Sequence, residues 1–375
     1  MSDFSDDDFR NLIDSAIVGG PGMDVEQPLG DLASWVPFTL SDAYTPRPPL
    51  PYLVTDIMYW PSCNIVYGGP GSLKSMILAD LALCVASGLP WLASEDGGDG
   101  YVTVQSPVIW VDFDNGRRRT HERFDAIGQA HGIHPGAPLF YYTMPRPQLD
   151  LTSFNQGNGL LHLVRSKQAR LLIIDNLGLT IGDAEENSGE MAGVMGNLRS
   201  IAEDAECAVV MVHHQRKTNG NTEGVRKGET LRGHSSIEAS LDLALLVERK
   251  DGEDNVTIYP TKVRGYRMWE SIGAWFDYSH HEGTRDLSRA RFYPKPVMTK
   301  AEREQASLRN SIMAEIVAQP GIEQKELVDA VRDSLAVVAT APGINKVRGT
   351  LKIMVEDGLL KVARGDRKTL FYYPI

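Results

Sequence analysis

The sequence predicts an α/β fold: a mostly parallel sheet with an antiparallel edge hairpin, followed by a small α+β tail domain. Three observations predict it. Six short apolar runs alternate with helical stretches between residues 64 and 247. Two strand-like segments, VTIYPTKV at 256–263 and SIGAWFDY at 271–278, follow without a helix between them. Beyond residue 300 come three helix-length segments and a final strand pair. Near-continuous apolar strands separated by helices belong to a parallel sheet buried on both faces, and such a sheet often carries an antiparallel extension.

The apolar runs are NIVY at 64–67, VIWVDF at 108–113, LFYYT at 139–143, RLLIID at 170–175, CAVVMV at 207–212 and LDLALLV at 241–247. Helices are expected near 74–87, 118–131, 154–168 and 188–205. In the tail they are expected over 300–318, 323–331 and 343–357, with strands at 359–362 and 369–373. The apolar gap DSLAVVATAPG leaves room for further helix. These segments divide the chain into an acidic arm with a proline-rich linker over 1–50, a main domain over 51–285, a linker over 286–299 and a tail domain over 300–375. One short helix is expected in the arm, near 7–16. The arm otherwise lacks periodicity and ends in TPRPPLPYL, which can lie extended.

A length of 375 residues suits two or three folded units. Hydrophobic residues at 42% and charged residues at 23% exclude a collagen-like or wholly disordered chain. There is no run of 18 apolar residues, and the N-terminus MSDFSDDDFRNL is acidic where a secretory signal is basic and then apolar. A cytoplasmic protein without membrane contact is therefore expected. Cys63, Cys84 and Cys207 have no metal-site spacing and read as small buried residues in a reducing compartment. The net charge of −11 is uneven. Residues 1–50 carry −7, whereas residues 341–375 carry +4. Different segments are thus suited to different partners.

The first apolar run enters GGPGSLKS, residues 68–75, and then a helix. A phosphate loop has the pattern G-x-x-x-x-G-K-[ST] in that setting. Gly68, Lys74 and Ser75 match, and Leu73 stands where the pattern has glycine. Backbone amides of Gly68, Gly69, Pro70, Gly71, Ser72 and Leu73 (Pro70 lacking an N–H), with Lys74, Ser75 and Met76 at the helix start, form the expected nucleotide cradle. Lys74 supplies charge and Ser75 a hydroxyl for Mg²⁺. Leu73 fits if its torsions stay in the ordinary helical region. ATP and Mg²⁺ are the expected cofactors.

Asp175 closes the run RLLIID, where a phosphate-loop enzyme holds its second metal carboxylate. VIWVDFDNG offers Asp112 and Asp114, which share one side if the strand continues through both. Asp114 lies nearer the strand end and is the preferred base for the attacking water, with Asp112 the alternative. His213, His214 and Gln215 close another strand. A sensor of the γ-phosphate is one reading of the histidines, and a pair capping the strand is the other.

The order of these features resembles the RecA-like ATPases, and more narrowly the group containing the plasmid helicase RepA, with DnaB, RadA and KaiC as more distant relatives. The carrying segments, over about 38–280, are LSDAYTPRPPLPYLV, GGPGSLKSMILADLAL, VIWVDFDNGRRR, LLIIDNLGL, VVMVHHQRK and LRGHSSIEASLDLALLVER. The resemblance implies a catalytic acid at Asp114, where many relatives have Glu, and a sensor at His214. It implies cations acting on a neighbouring subunit's nucleotide at Arg232 in LRGHSS and at Lys262 and Arg264 in PTKVRGY. It also implies a homo-oligomer, with a hexameric ring as its most specific form.

The same resemblance assigns single-stranded DNA to the loop after Asp175, residues 180–188, and to the loop RKTNGNTEGVRKGETLRG. The second loop supplies Lys217, Arg226 and Lys227, suited to a phosphate backbone read without sequence. No obvious aromatic residue is present there for base stacking. The tail resembles a winged-helix domain, which implies duplex contacts through Lys346, Arg348, Arg364, Arg367 and Lys368. Many such domains bind protein instead. The functional expectation is an ATP-hydrolysing DNA motor, a RepA-like helicase in its most specific form. The alternatives are an ATP-regulated DNA-binding loader or regulator without unwinding, and a signalling ATPase.

Overall fold

A computed structural model describes residues 35–375 except 97, 99, 183, 186–188, 217–226, 232–234, 251, 266–267, 298–299, 337–340 and 367–368. The chain divides into two compact units, Met1–Leu50 and Pro51–Ile375. In the first, α1 (Leu40–Tyr44) is a single turn of helix. The Thr39 side chain and the Asp42 carboxylate cap it reciprocally, which explains why helix begins at that point. The helix expected near 7–16 lies outside the described residues.

The second unit opens with a small hairpin, β1 (Tyr52–Val54) and β2 (Met58–Tyr59). Alternation of strand and helix follows: β3 (Ser62–Gly68), α2 (Lys74–Ser87), β4 (Val108–Asp112), α3 (Arg117–His131), β5 (Leu139–Thr143), α4 (Phe154–Ser166), β6 (Leu171–Asp175), α5 (Met191–Ala205) and β7 (Ala208–His214). A short helix α6 (Ser235–Ser240) precedes β8 (Leu243–Arg249), β9 (Asn255–Val263), β10 (Ile272–His280) and β11 (Leu287–Lys295). These strands make one nine-stranded sheet in the order β11-β10-β9-β8-β3-β7-β6-β4-β5. The six from β8 to β5 are parallel and the other three antiparallel. The mostly parallel sheet with an antiparallel edge is as the sequence predicts.

Side chains leave each strand alternately to its two faces. Ile65, Ile109, Ile174 and Met211 pack on one side with α4 and α5. Val66, Trp110, Ile173 and Val210 pack on the other with α2 and α3. Burial on both faces is why these strands read as unbroken apolar runs. Helix α2 is buried at every position from Met76 to Ala86, as expected of a helix that is apolar all round. A buried pair, His131 Nε2 and Asp80 Oδ1 at 2.8 Å, ties α2 to the end of α3. Cys84 comes within 4.8 Å of both, a grouping that linear spacing does not reveal. All three cysteines are free and buried.

The sequence expectation of a linker over 286–299 is corrected. Residues 287–295 form β11, which pairs with β10 from Leu287 to Lys295 and puts Ala290 and Phe292 in the core. The main domain therefore runs to 295. The tail consists of α7 (Lys300–Ala318), β12 (Ile322–Glu323), α8 (Gln324–Ala336), α9 (Ile344–Glu356), β13 (Leu360–Arg364) and β14 (Leu370–Pro374), its strands ordered β12-β14-β13. Helix α8 extends five residues past its expected end. Leu327, Val328 and Val331 of α8 and Val347, Leu351 and Met354 of α9 recur at helical spacing and fill a separate core with Ile312, Leu360 and Tyr372. Among the described residues, no helix is long and apolar enough to cross a membrane.

Candidate functional site

β3 delivers the chain to the loop at Gly68, where space demands glycine. A Cβ there would lie 2.3 Å from Val247 O and 2.8 Å from Ser72 Oγ. Gly71 follows with φ +72. Leu73 is also left-handed, at φ 66 and ψ 19, which corrects the expectation of helical torsions. The loop keeps the backbone that glycine would favour, at a cost of about 1–2 kcal/mol for a residue bearing a Cβ. Packing of Leu73 against the α2-side core offsets part of that cost. Left-handed residues within such a turn direct successive N–H groups to one side, the geometry of an anion-binding concavity.

Lys74 opens α2 with its stem buried and its Nζ donating to Gly69 O at 3.0 Å. Burial lowers its pKa below the usual lysine value, and the charges of Asp175 and then Asp114 oppose that shift. Asp175 ends β6 and is 1% exposed. Burial, reinforced by Asp112, pushes its pKa up to about 7, while a hydrogen bond from Ser75 and the charge of Arg123 act against this. Its Oδ2 has no hydrogen-bond partner among the described residues. A buried carboxylate oxygen without a partner, beside a hydroxyl, is a donor pair suited to a hard divalent cation. Lys74 and the loop suit the phosphates that such a cation accompanies.

The two candidate bases differ in their surroundings. β4 ends at Asp112, so the expected alternation does not extend to Asp114. Asp112 is fully buried and accepts from Asp114 N at 3.0 Å, Asn115 N at 2.7 Å and Thr120 Oγ1 at 2.8 Å. Its lone pairs shape the turn into α3. Asp114 is exposed, close enough to Lys74 to influence it. His214 closes β7 as the register partner of Gly68, and His213 is buried beside Tyr67.

Three nearby residues carried no assignment from sequence. The amide of Gln215 donates to Gly68 O at 3.1 Å, and its side chain ends 4.0 Å from where a Cβ on Gly69 would stand. Arg249 Nη1 reaches Gly71 O at 3.5 Å. Arg123 carries its charge toward Asp175 from α3. Position after the HH pair could have singled out Gln215, but no local pattern marks the two arginines. Two cavities flank the loop. One of about 700 Å³ adjoins Gly69, Pro70 and Ser72 and extends to Ser311 of α7. The other, of about 520 Å³, adjoins Leu73 and Met76 and is rimmed by Arg118, Arg119, Arg123 and Arg285.

Lys262 and Arg264 lie away from the loop. Lys262 pairs in register with Ala244, itself opposite Ile65, and Val263 pairs with Leu243, opposite Asn64. Lys262 is therefore level with the middle of β3 and Arg264 lies toward the end of the sheet where β3 begins, whereas the loop leaves the end where β3 finishes. Both turn toward α6. Lys262 Nζ donates to Glu238 O and Ala239 O, and Arg264 Nη2 donates to Ala239 O. Lys217, Arg226, Arg232, Arg367, Lys368 and the side chain of Lys227 lie outside the described residues. Lys346 is engaged by Glu304 at 3.1 Å, while Arg348 and Arg364 are exposed.

A family model described as an AAA domain matches residues 31–220. A crystal structure of the RadB recombinase overlaps 58% of this chain and 88% of that one, at 15% identity and a TM-score of 0.43. The family match spans more than half of the chain and contains the loop, Lys74, Ser75, Asp114, Asp175 and His214. The protein belongs to the AAA domain family of P-loop ATPases.

Proposed function

We propose that the protein is an oligomeric RecA-like ATPase of DNA metabolism, in its most specific form a ring-shaped RepA-like helicase that holds single-stranded DNA. The observation that carries this reading is that Lys262, level with the middle of β3, and Arg264, toward its start, both turn to α6 and away from the loop at the end of β3 in their own chain. Cations so placed are suited to a nucleotide that a second copy presents.

Lys74 binds the β- and γ-phosphates, and the loop amides surround them. Ser75 and Asp175 hold Mg²⁺, which neutralises charge on the phosphate oxygens when bound. Asp114 orients the attacking water and accepts its proton. His214, beside Gly68, senses the γ-phosphate. Arg232, Lys262 and Arg264 stabilise the charge developing on a neighbour's phosphate. Lys217, Arg226 and Lys227 hold the DNA backbone, whose charge suits such loops.

In the tail, the order helix, strand, two helices and hairpin supports the reading of a winged helix. Arg348 and Arg364, with Arg367 and Lys368, are the cations this reading assigns to duplex phosphates, and Lys346 would have to leave Glu304 to join them. A second reading, an ATP-regulated loader or regulator whose tail grips protein, is favoured by apolar exposure there. Ile344, Ile353, Leu359 and Val362 are each at least 40% exposed.

A strand-displacement assay on forked DNA with ATP, together with native mass measurement, tests the leading reading. Unwinding by a hexamer is the expected result. ATP turnover without unwinding in any oligomeric state would leave the regulator.

A further inference from the structure

The surroundings of Lys262 and Arg264 describe a second arrangement for these side chains. Helix α6 ends at Ser240, and its last carbonyls are capped by three cations, from β9, from the residue after it and from α5. Lys262 of β9 takes Glu238 O and Ala239 O, Arg264 takes Ala239 O, and Arg199 of α5 donates to Ser240 O at 2.9 Å. A helix C-terminus carries partial negative charge and favours cations. Below them Asp242, its side chain 4% exposed, joins the set. It takes both Arg199 terminal nitrogens, at 2.5 and 3.0 Å, and the Cys63 amide at 2.8 Å. Arg264 Nε lies 3.6 Å from the same carboxylate, and the Arg264 amide donates to Asp242 O at 2.8 Å.

Two kinds of restraint act on Arg264. Its backbone and Nε are anchored by Asp242, which Arg199 holds in turn. Its outer guanidinium nitrogen rests on a neutral carbonyl, and its side chain is 48% exposed. Lys262 likewise has neutral carbonyl partners. A phosphate oxygen carries full negative charge, so it attracts an ammonium or guanidinium more strongly than a neutral carbonyl oxygen does. An arriving phosphate therefore competes well for these two side chains, and much less well for Arg199, which is bound to a buried carboxylate.

We propose that the carbonyl end of α6, supported by the Arg199–Asp242 pair, parks Lys262 and Arg264 until the triphosphate of a second copy of this chain draws them away. Their departure leaves the end of α6 held, of the three cations, by Arg199 alone. The proposal rests on the reading of Lys262 and Arg264 as trans-acting. Arg199 and Asp242 act as positioning residues in it, because they set where Arg264 starts without touching the nucleotide. The chain connection through α6 then gives the loop assigned to DNA a direct report of nucleotide on the neighbouring subunit.

Hydrogen exchange of the 235–242 segment in the full chain, with and without a non-hydrolysable ATP analogue, tests this. At concentrations that support assembly, exchange should rise about tenfold with the analogue. In Arg264→Ala it should start high and change little, and Arg264→Lys should restore part of the nucleotide response. If Arg264→Ala loses turnover while the wild-type segment exchanges identically with and without bound analogue, the parking role is overturned and the trans reading survives. If Arg264→Ala retains full turnover, both fall. Lys262→Ala, measured in parallel, guards against a folding defect specific to the arginine variant.

Discussion

Asp112 and Asp175 are register partners at the ends of β4 and β6, and the carboxylate of one is satisfied where the other is not. Asp112 accepts from two backbone amides and from Thr120 Oγ1. Asp175 has the Ser75 hydroxyl, and its Oδ2 has no partner among the described residues. The same residue type at the same height thus has its hydrogen bonds filled by the fold at one strand and an oxygen left over at the other. Asp112→Asn would set an amide NH₂ or a weaker acceptor against N–H donors. A loss of about 1–3 kcal/mol in stability is expected, read as a lower Tm.

Asp175→Asn should do the reverse to stability. The folded protein holds the Asp175 carboxyl at a pKa of about 7, against 3.8 ordinarily. Between those values the folded state keeps a proton that the unfolded chain gives up. The stability contributed by this group is therefore full below about pH 4 and lost as pH rises through 7. The asparagine variant without nucleotide should melt at a higher temperature than wild type at pH 8, with a smaller difference at pH 5, while ATP turnover is abolished. Melting curves across pH check the sign. A variant less stable than wild type at pH 8 would contradict it.

Lys74→Ala should lower ATP turnover by at least about a hundredfold, since the loop has no other lysine. Fluorescent-nucleotide titration should show weakened binding with the fold intact by circular dichroism. Unchanged turnover would remove the phosphate loop from the chemistry.

At Leu73 the usual ranking of residues should invert. Gly and Ala variants both lose the leucine packing, but only Gly relieves the left-handed torsions. Leu73→Gly is expected to be more stable than Leu73→Ala by about 1 kcal/mol, opposite to the order in a helix interior. Chemical denaturation of the two variants decides the matter.

Arg264→Ala should leave nucleotide binding nearly intact and lose hydrolysis. Mixed with Lys74→Ala subunits, it should regain turnover at interfaces that pair a sound loop with a sound arginine. Absence of any recovery in mixed oligomers would count against action in trans.

The parallel strands were legible because burial on both faces leaves a continuous apolar run. β11 was not legible. LSRARFYPK sends Ala290 and Phe292 inward, but Arg289 and Arg291 alternate with them and give the segment the look of a basic linker. Lys74 and Ser75 stood out by their spacing in a loop that opens a helix, and Asp114 and Asp175 by following apolar runs. The torsions of Leu73 were hidden, since a side chain does not announce strain that its neighbours impose. Arg199 and Asp242 were hidden for another reason: they are 43 residues apart and belong to no local pattern.

The strand β11 also determines how force could travel through the molecule. Four residues, 296–299, separate it from α7, a leash that reaches roughly 15 Å at full stretch. A load applied to the tail would pass along the chain into the outer strand of the nine-stranded sheet. Cutting the chain at 285 would sever that path and bare the β10 edge, whereas a cut within 296–299 would separate tail from core and leave the sheet whole.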